Sequence, residues 1–383
     1  MRMMIRGLGM AALLAATGSA ALAQSYSVPA DLQAKIDSHP NVRKLTDWGG
    51  RPDWSPDGER LLFVSREYGD LFELDVSTGR TRPLTFHYSH EGVFRGHYLR
   101  NGDIMVTAPR EHRAGFDNYG RANESELWLL SADLSGPPIP LGERNMEGIA
   151  VSRESLRIAW AKPVGAPPPR LPDGQRPAPG GPAKAGNQVW TADLAYTSGK
   201  PQLTAKRMVL DCGTPDGALA ELLRSIASRC DMIEPQNFVP ADDSRLTFTM
   251  ASIAAGTTHR SIGAYVLDLR TGRIADLDRG EGYAEAEGVF PDGKSTLVEY
   301  ADEANLAKAT HIIDLWRFAL DGSGRKTRVT RYNALNPALK SNQGVISPDG
   351  RWMAFGVSTG AIEVKVAGQG IGIFLMDLKA AGF

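Results

Sequence analysis

The chain has 383 residues, of which 42% are hydrophobic, 23% charged and 8% aromatic; this excludes a disordered or fibrous polymer and leaves room for one sizeable domain or two small ones. Its 43 basic residues are balanced by 44 acidic ones for a net charge of −1, so no broad positive field awaits a nucleic-acid backbone. The 41 glycines and 24 prolines disfavour long helices and favour short strands joined by turns.

Residues 1–23 carry Arg2 and Arg6, an apolar stretch from Leu8 to Leu22, and Ala21-Leu22-Ala23 ahead of Gln24, the pattern of a signal peptide cut near Gln24. The apolar run is too short and too rich in Ala and Gly to span a bilayer, and no later window offers the roughly 18 uncharged residues a span needs. The mature chain is therefore expected to be periplasmic or secreted, with no transmembrane span. Residues 24–41 form an N-terminal segment, and residues 42–383 read as a single domain.

Within that domain a unit recurs: an apolar strand, a Ser-Pro-Asp-Gly-like turn, a β-branched and aromatic strand, a loop, a strand ending near Asp, a Gly turn and a last short strand. Residues 48–86 show it most clearly. Pro56, Asp57 and Gly58 make the first turn, Leu61, Phe63 and Ser65 alternate with Leu62 and Val64, and Asp75 to Gly79 make the second turn. More worn copies place Asn101-Gly102, Arg153-Glu154-Ser155 and Asp242-Asp243 before apolar strands, and clear ones return at Pro291-Asp292-Gly293 and Ser347-Pro348-Asp349-Gly350. These turns recur 44 to 57 residues apart, near the length of a propeller blade, except where a Pro/Gly-rich insertion from Pro163 to Gly186 intervenes. The expected fold is all-β: a six-bladed β-propeller of four-stranded antiparallel blades. The last copy ends at Phe383 without its fourth strand, and Val42-Arg43-Lys44-Leu45-Thr46 matches the missing one. An N-terminal strand is thus expected to complete the last blade and remove an open sheet edge.

Cys212 and Cys230 are the only cysteines, and the residues between them read as a turn plus a short helix with Leu219, Leu222, Leu223 and Ile226 at helical spacing. In an oxidising compartment they are expected to form a disulfide; the alternative is two unpaired buried thiols.

The repeats resemble the TolB-like family of Pro-Asp repeat β-propellers. Trp54-Ser55-Pro56-Asp57-Gly58, the strand ending at Asp75, Thr78-Gly79 and Leu84-Thr85 carry the resemblance most closely, and residues 291–293 and 347–350 carry it at the turn. It is specific for fold and weak for function.

The long insertions, 109–122, 163–186, 253–262, 302–310 and 359–370, all fall on connections expected at one face of the disc, which marks that face as functional. At the entries to the innermost strands stand Arg51, Glu91, Glu147, Glu234, Glu287 and Gln343, each followed by Gly or Pro. These six residues are expected to ring the channel mouth and bind a ligand, because crowded carboxylates must be protonated, paired or neutralised by a bound cation. The simpler reading is a set of solvated rim residues.

His87, His90 and Glu91 could share a divalent cation, with His112, His259 or His311 as further ligands; ordinary loop histidines are the plainer reading. Gly356 to Gly360 matches a nucleophile-elbow string but leaves a strand for a loop, and Gly368 to Gly372 lacks the helix a phosphate loop requires. The aromatic and basic insertion around Arg113, Phe116 and Tyr119 could contact a sugar or peptide, or be plain surface.

The function expected from these features is binding of a peptide segment or small polar ligand at the channel mouth, the partner being an envelope protein or peptide, or a small molecule. The alternative is a metal-assisted lyase or hydrolase acting on a small or carbohydrate substrate at the same mouth, with a divalent cation as cofactor. By resemblance, some Pro-Asp propellers are lyases for acidic sugars, and gluconolactonase-like propellers hold calcium in a carboxylate-lined channel.

Overall fold

The computed structural model describes residues 30–38, 40–66, 68–110, 124–146, 148–165, 186–241, 243–278, 282–302, 313–337, 339–359 and 371–383. The leader at 1–23, Glu147, His112, His311 and most of the insertions at 109–122, 163–186, 302–310 and 359–370 lie outside these residues.

The Ser-Pro-Asp-Gly tetrads make the turns expected of them. Gly58 N–H donates to Ser55 O at 2.9 Å and Glu59 N–H to Asp57 Oδ1 at 3.0 Å, with Gly58 at φ +74°, where a side chain would be strained. Gly350 N–H to Ser347 O and Arg351 N–H to Asp349 Oδ1 repeat the arrangement at 2.9 and 3.0 Å. Each such turn reverses the chain between two apolar strands, and the strands then pair.

A first helix, α1 (Ala30–Asp37), buries Ile36 and leads into β1 (Val42–Lys44). One antiparallel sheet follows from β2 (Gly50–Trp54), β3 (Arg60–Val64), β4 (Leu71–Asp75) and β5 (Thr81–Pro83). A second contains β6 (Arg95–Tyr98), β7 (Ile104–Pro109), β8 (Ser125–Leu130) and β9 (Ile139–Arg144). The third contains β10 (Ile149–Val151), β11 (Arg157–Pro163), β12 (Asn187–Thr197) and β13 (Lys200–Asp211). After it come α2 (Gly217–Ser225) and then β14 (Ser228–Phe238), β15 (Arg245–Ala254), β16 (Arg260–Asp268) and β17 (Ile274–Asp276). These lead to β18 (Gly282–Val289), β19 (Ser295–Asp302), β20 (Asp314–Ala319) and β21 (Lys326–Arg328). A short helix, α3 (Tyr332–Leu335), precedes β22 (Leu339–Ile346), β23 (Trp352–Thr359) and β24 (Gly372–Asp377).

The last sheet has the order β1-β24-β23-β22, so the N-terminal strand does complete it: Val42, Arg43 and Lys44 face Met376, Leu375 and Phe374 in antiparallel register.

The expectation of six separate blades is corrected. Four sheets stand alone as four-stranded blades, and β14 to β21 form a single eight-stranded sheet. Its two antiparallel halves are joined by one parallel pair, Ile262 with Tyr283. The join lies where the start of β16 runs beside the start of β18. The halves also stack through Ala264, Val266, Ala284, Val298 and Phe318, much as separate blades stack through Trp54, Phe63, Ile373 and Leu375. Burying each large apolar side chain in such a layer contributes roughly 1.5–3 kcal/mol.

Cys212 and Cys230 are joined, with Cα atoms 5.4 Å apart. The link ties the end of β13 to β14 and clamps α2, whose Leu219 and Leu223 are buried in the same apolar cluster.

Candidate functional site

Strands β2, β6, β10, β14, β18 and β22 all contribute to the wall of one axial channel of about 200 Å³. Four of them are bulged there. Register shifts fall between Gly50 and Asp53, Pro235 and Asn237, Ala286 and Val289, and Asn342 and Val345. A bulge breaks the two-residue alternation and re-aims a side chain, here at the axis. Arg51 and Gln343 occupy such bulges, both at φ +56°, a left-handed conformation that residues with a side chain seldom adopt.

A chain of bonds runs around the channel from these positions. Gln343 N–H donates to Glu299 Oε1 at 2.8 Å, and the Gln343 side-chain oxygen accepts Arg51 N–H at 2.8 Å. The Arg51 guanidinium lies 4.5 Å from the centroid of the Phe94 ring, and that of Arg95 lies 5.7 Å from it. Arg95 in turn pairs with Glu234 at 2.9 Å, both side chains largely buried. This pair links β6 to β14 past the entry of β10. A Cβ at Gly148 would lie 2.1 Å from Glu234 Cγ, so only glycine leaves the space.

A second buried group involves Asp53, Arg153 and His97. Arg153 bonds the Asp53 carboxylate, His97 Nδ1 lies 3.6 Å from it, and Tyr98 N–H donates to it at 2.8 Å. Burial opposes ionisation of Asp53, but the Arg153 charge and the His97 hydrogen bond outweigh it and hold its pKa below the ordinary 3.8.

The other side of the channel is acidic. Tyr283, Glu285 and Glu287 alternate along β18 with buried Ala284 and Ala286, which places all three on the channel face, and Glu299 joins them from β19. Tyr283 OH donates to Glu285. Burial, the Glu299 and Glu285 charges and a hydrogen bond with Glu299 push the Glu287 carboxyl well above the ordinary range. Burial and the Glu285 charge raise Glu299 to about 7, with Lys340 of β22 and the Gln343 N–H opposing them. Burial and mutual repulsion thus favour a proton held between Glu287 and Glu299.

Of the residues expected at the channel mouth, the structure brings Arg51, Glu287 and Gln343 together in the wall, and Glu234 against the wall residue Arg95. Glu91 lies in the loop before β6 and is not among the described wall residues; Glu147 is outside the described residues. The displacement of Glu91 has a simple origin. Counting back four residues from the N–H that closes the first hairpin gives Arg51 from Ser55 in the first blade, Gln343 from Ser347 in the last and Arg95 from Leu99 in the second. The Glu-Gly-Val-Phe string at 91–94 is one turn too early.

Near Glu91, His90 Nε2 contacts Asp70 Oδ1 at 2.9 Å and its Nδ1 accepts Gly92 N–H at 3.0 Å, so both ring nitrogens are engaged; His87 packs its ring 4.7 Å from Tyr88. Among the described residues no three His, Cys, Asp or Glu side chains gather as a metal-holding group, so His87, His90 and Glu91 do not form one there.

The reading of the sequence missed Asp53, Arg95, His97, Arg153, Gln236, Tyr283, Glu285, Glu299 and Lys340. Period-two alternation in Tyr-Ala-Glu-Ala-Glu-Gly and Arg-Gly-His would have found four of them, Tyr283, Glu285, Arg95 and His97. A larger groove of about 810 Å³ lies beside the disulfide, but its described lining is mostly Gly, Ala, Leu and Pro with Arg224 and Arg229 at its edge.

These features define an all-β propeller with a polar channel of paired charges. No protein-family profile and no curated protein matches the chain. Among solved structures, a putative TolB from Agrobacterium tumefaciens is similar at a TM-score of 0.49 and 13% identity, over 75% of this chain and 83% of that one. TolB from Acinetobacter baumannii is similar at 0.48 and 11%, over 87% of this chain and 64% of that one. An oligogalacturonate lyase from Vibrio parahaemolyticus is similar at 0.46 and 11%, over 89% and 80%. At these scores the likeness carries no argument about function, and the assignment of the fold stands on the chain's own strand pairing.

Proposed function

We propose that this chain is an exported propeller that recognises a small polar ligand or a peptide segment in the axial channel. One observation carries the reading: four bulged inner strands turn side chains of both charges into a single cavity, where plain strands would have alternated them into the sheet interfaces. The leader pattern at 1–23 and the disulfide support export to the periplasm or beyond. Purification from the periplasm followed by mass spectrometry of what co-purifies tests the proposal. The parent chain is expected to retain a ligand that Arg51→Ala and Glu287→Gln both lose; retention unaffected by either change would sink it.

A second reading, turnover of a small or carbohydrate substrate at the same channel, is favoured by Glu299, whose carboxyl at about 7 has the proton affinity a general base needs near neutral pH. In its metal-assisted form, any ion held by His90 would have to displace the bonds to Asp70 and Gly92. Glu299→Gln would then abolish product formation in a chain that still folds.

A further inference from the structure

Among the described residues, three nitrogen atoms in the channel wall are buried with no hydrogen-bond partner: Arg95 Nε, His97 Nε2 and Gln236 Nε2. Gln236 is only 8% exposed, so its amide N–H groups face the channel or nothing. Arg95 and His97 stand two apart on β6, sharing a face, and Arg95 already reaches Glu234, two residues before Gln236 on β14. These atoms form one donor-rich side of the wall, with the His97 ring able to donate or accept there. A buried donor left unpaired is costly, and an anion with two acceptor oxygens satisfies it best.

The acidic side lies opposite. Going round the ring from β6, the inner strands β10 and β14 intervene before β18 in one direction, and β2 and β22 in the other. Glu285 and Glu287 of β18, with Glu299 of β19 behind them, therefore face Arg95 and His97 of β6 across the axis, while Gln236 on the neighbouring strand β14 stands between the two sides. The cavity of about 200 Å³ is also smaller than the about 300 to 1,000 Å³ typical of drug-sized ligands, which restricts the occupant to a small molecule or a chain end.

Resting on the channel-recognition reading above, we infer that the occupant is a small zwitterion of the amino-acid or short-peptide class, its carboxylate seated on Arg95 and Gln236 and its ammonium against Glu285, Glu287 and Glu299. The opposed sides set the orientation, and a ligand bearing one charge alone leaves the other side unsatisfied.

Calorimetric titration of the mature chain with three probes tests this: L-alanyl-L-alanine, propionate and propylammonium. The dipeptide is expected to bind about tenfold or more tightly than either half-ligand, the loss expected when one set of charge-assisted bonds is missing. Gln236→Leu is expected to weaken the dipeptide and propionate but not propylammonium, and Glu285→Gln the dipeptide and propylammonium but not propionate. If a variant fails to fold, the three-probe comparison on the parent chain still decides. Either half-ligand matching the dipeptide would overturn the inference. So would no binding of any probe while the periplasmic preparation retains a ligand of another class, an outcome that leaves channel recognition intact. No binding and no retained ligand would overturn both.

Discussion

The N–H of Arg51 donates to the side-chain oxygen of Gln343 at 2.8 Å across 292 positions of sequence, and both residues adopt φ +56°. This contact joins the first inner strand to the last at the axis, as β1 joins β24 at the rim. The ring is therefore closed twice, once by a strand and once by a single side chain that is also part of the channel wall.

Gln343→Ala removes the acceptor for a partly buried backbone N–H while keeping a side chain in the left-handed region. It is expected to cost about 1–3 kcal/mol in urea unfolding, whereas Gln343→Gly recovers part of that loss by relieving the backbone. Equal stability of parent and Gln343→Ala would show that the contact does not help close the ring.

The acidic side of the channel makes stability depend on pH in a defined direction. Glu299 is raised from the ordinary 4.5 to about 7, so between those values the folded chain binds more protons than the unfolded one. Its contribution is fully present below pH 4.5 and is lost as pH rises through about 7. Asp53, lowered from 3.8, acts oppositely and only at more acidic pH. Urea unfolding across pH 5 to 8 is expected to show stability falling with pH in the parent and a flatter profile in Glu299→Gln; identical slopes would contradict the assignment.

The disulfide closes a short loop around α2. Replacing both Cys212 and Cys230 with Ser is expected to cost roughly 3 kcal/mol by loop-closure entropy, lowering the melting temperature by several degrees. A reductant should lower the melting temperature of the parent and leave that of the double variant unchanged.

Closure at the rim is testable through Arg43. The bonds Asp377 N–H to Asn41 O and Leu45 N–H to Ile373 O set the alternation of the ladder and put Arg43 in a bonded pair with Leu375. Arg43→Pro removes that donor and is expected to loosen β1 and expose the β24 edge, giving concentration-dependent association by light scattering. A monomer with unchanged melting would place closure elsewhere.

Gly148 leaves room for the Arg95–Glu234 pair. Gly148→Ala would set a Cβ 2.1 Å from Glu234 Cγ and 2.8 Å from Pro235 O, and is expected to destabilise by about 1–3 kcal/mol through overpacking. The effect should shrink in Glu234→Ala, where the side-chain part of the clash is gone.

The turns, the alternating strands, the closing strand at Val42 and the cysteine pair were legible in the sequence because each depends on residue types within a few positions or on a repeated pattern. Ser55 to Gly58 folds as a turn whatever surrounds it, and only two thiols were present to join. The inner-strand entries at Arg51, Glu287 and Gln343 were legible too, but which charges meet in the channel was decided by tertiary structure. Glu234 meets Arg95 across 139 positions and Glu299 meets Gln343 across 44, and bulges that leave no mark in composition set which side chains face the axis. The same holds for the bridge between Ile262 and Tyr283 that merges two four-strand runs. Local chemistry determines where a strand begins and turns, whereas the meeting of distant side chains depends on how each strand registers with its neighbours, and that is set only when the ring is assembled.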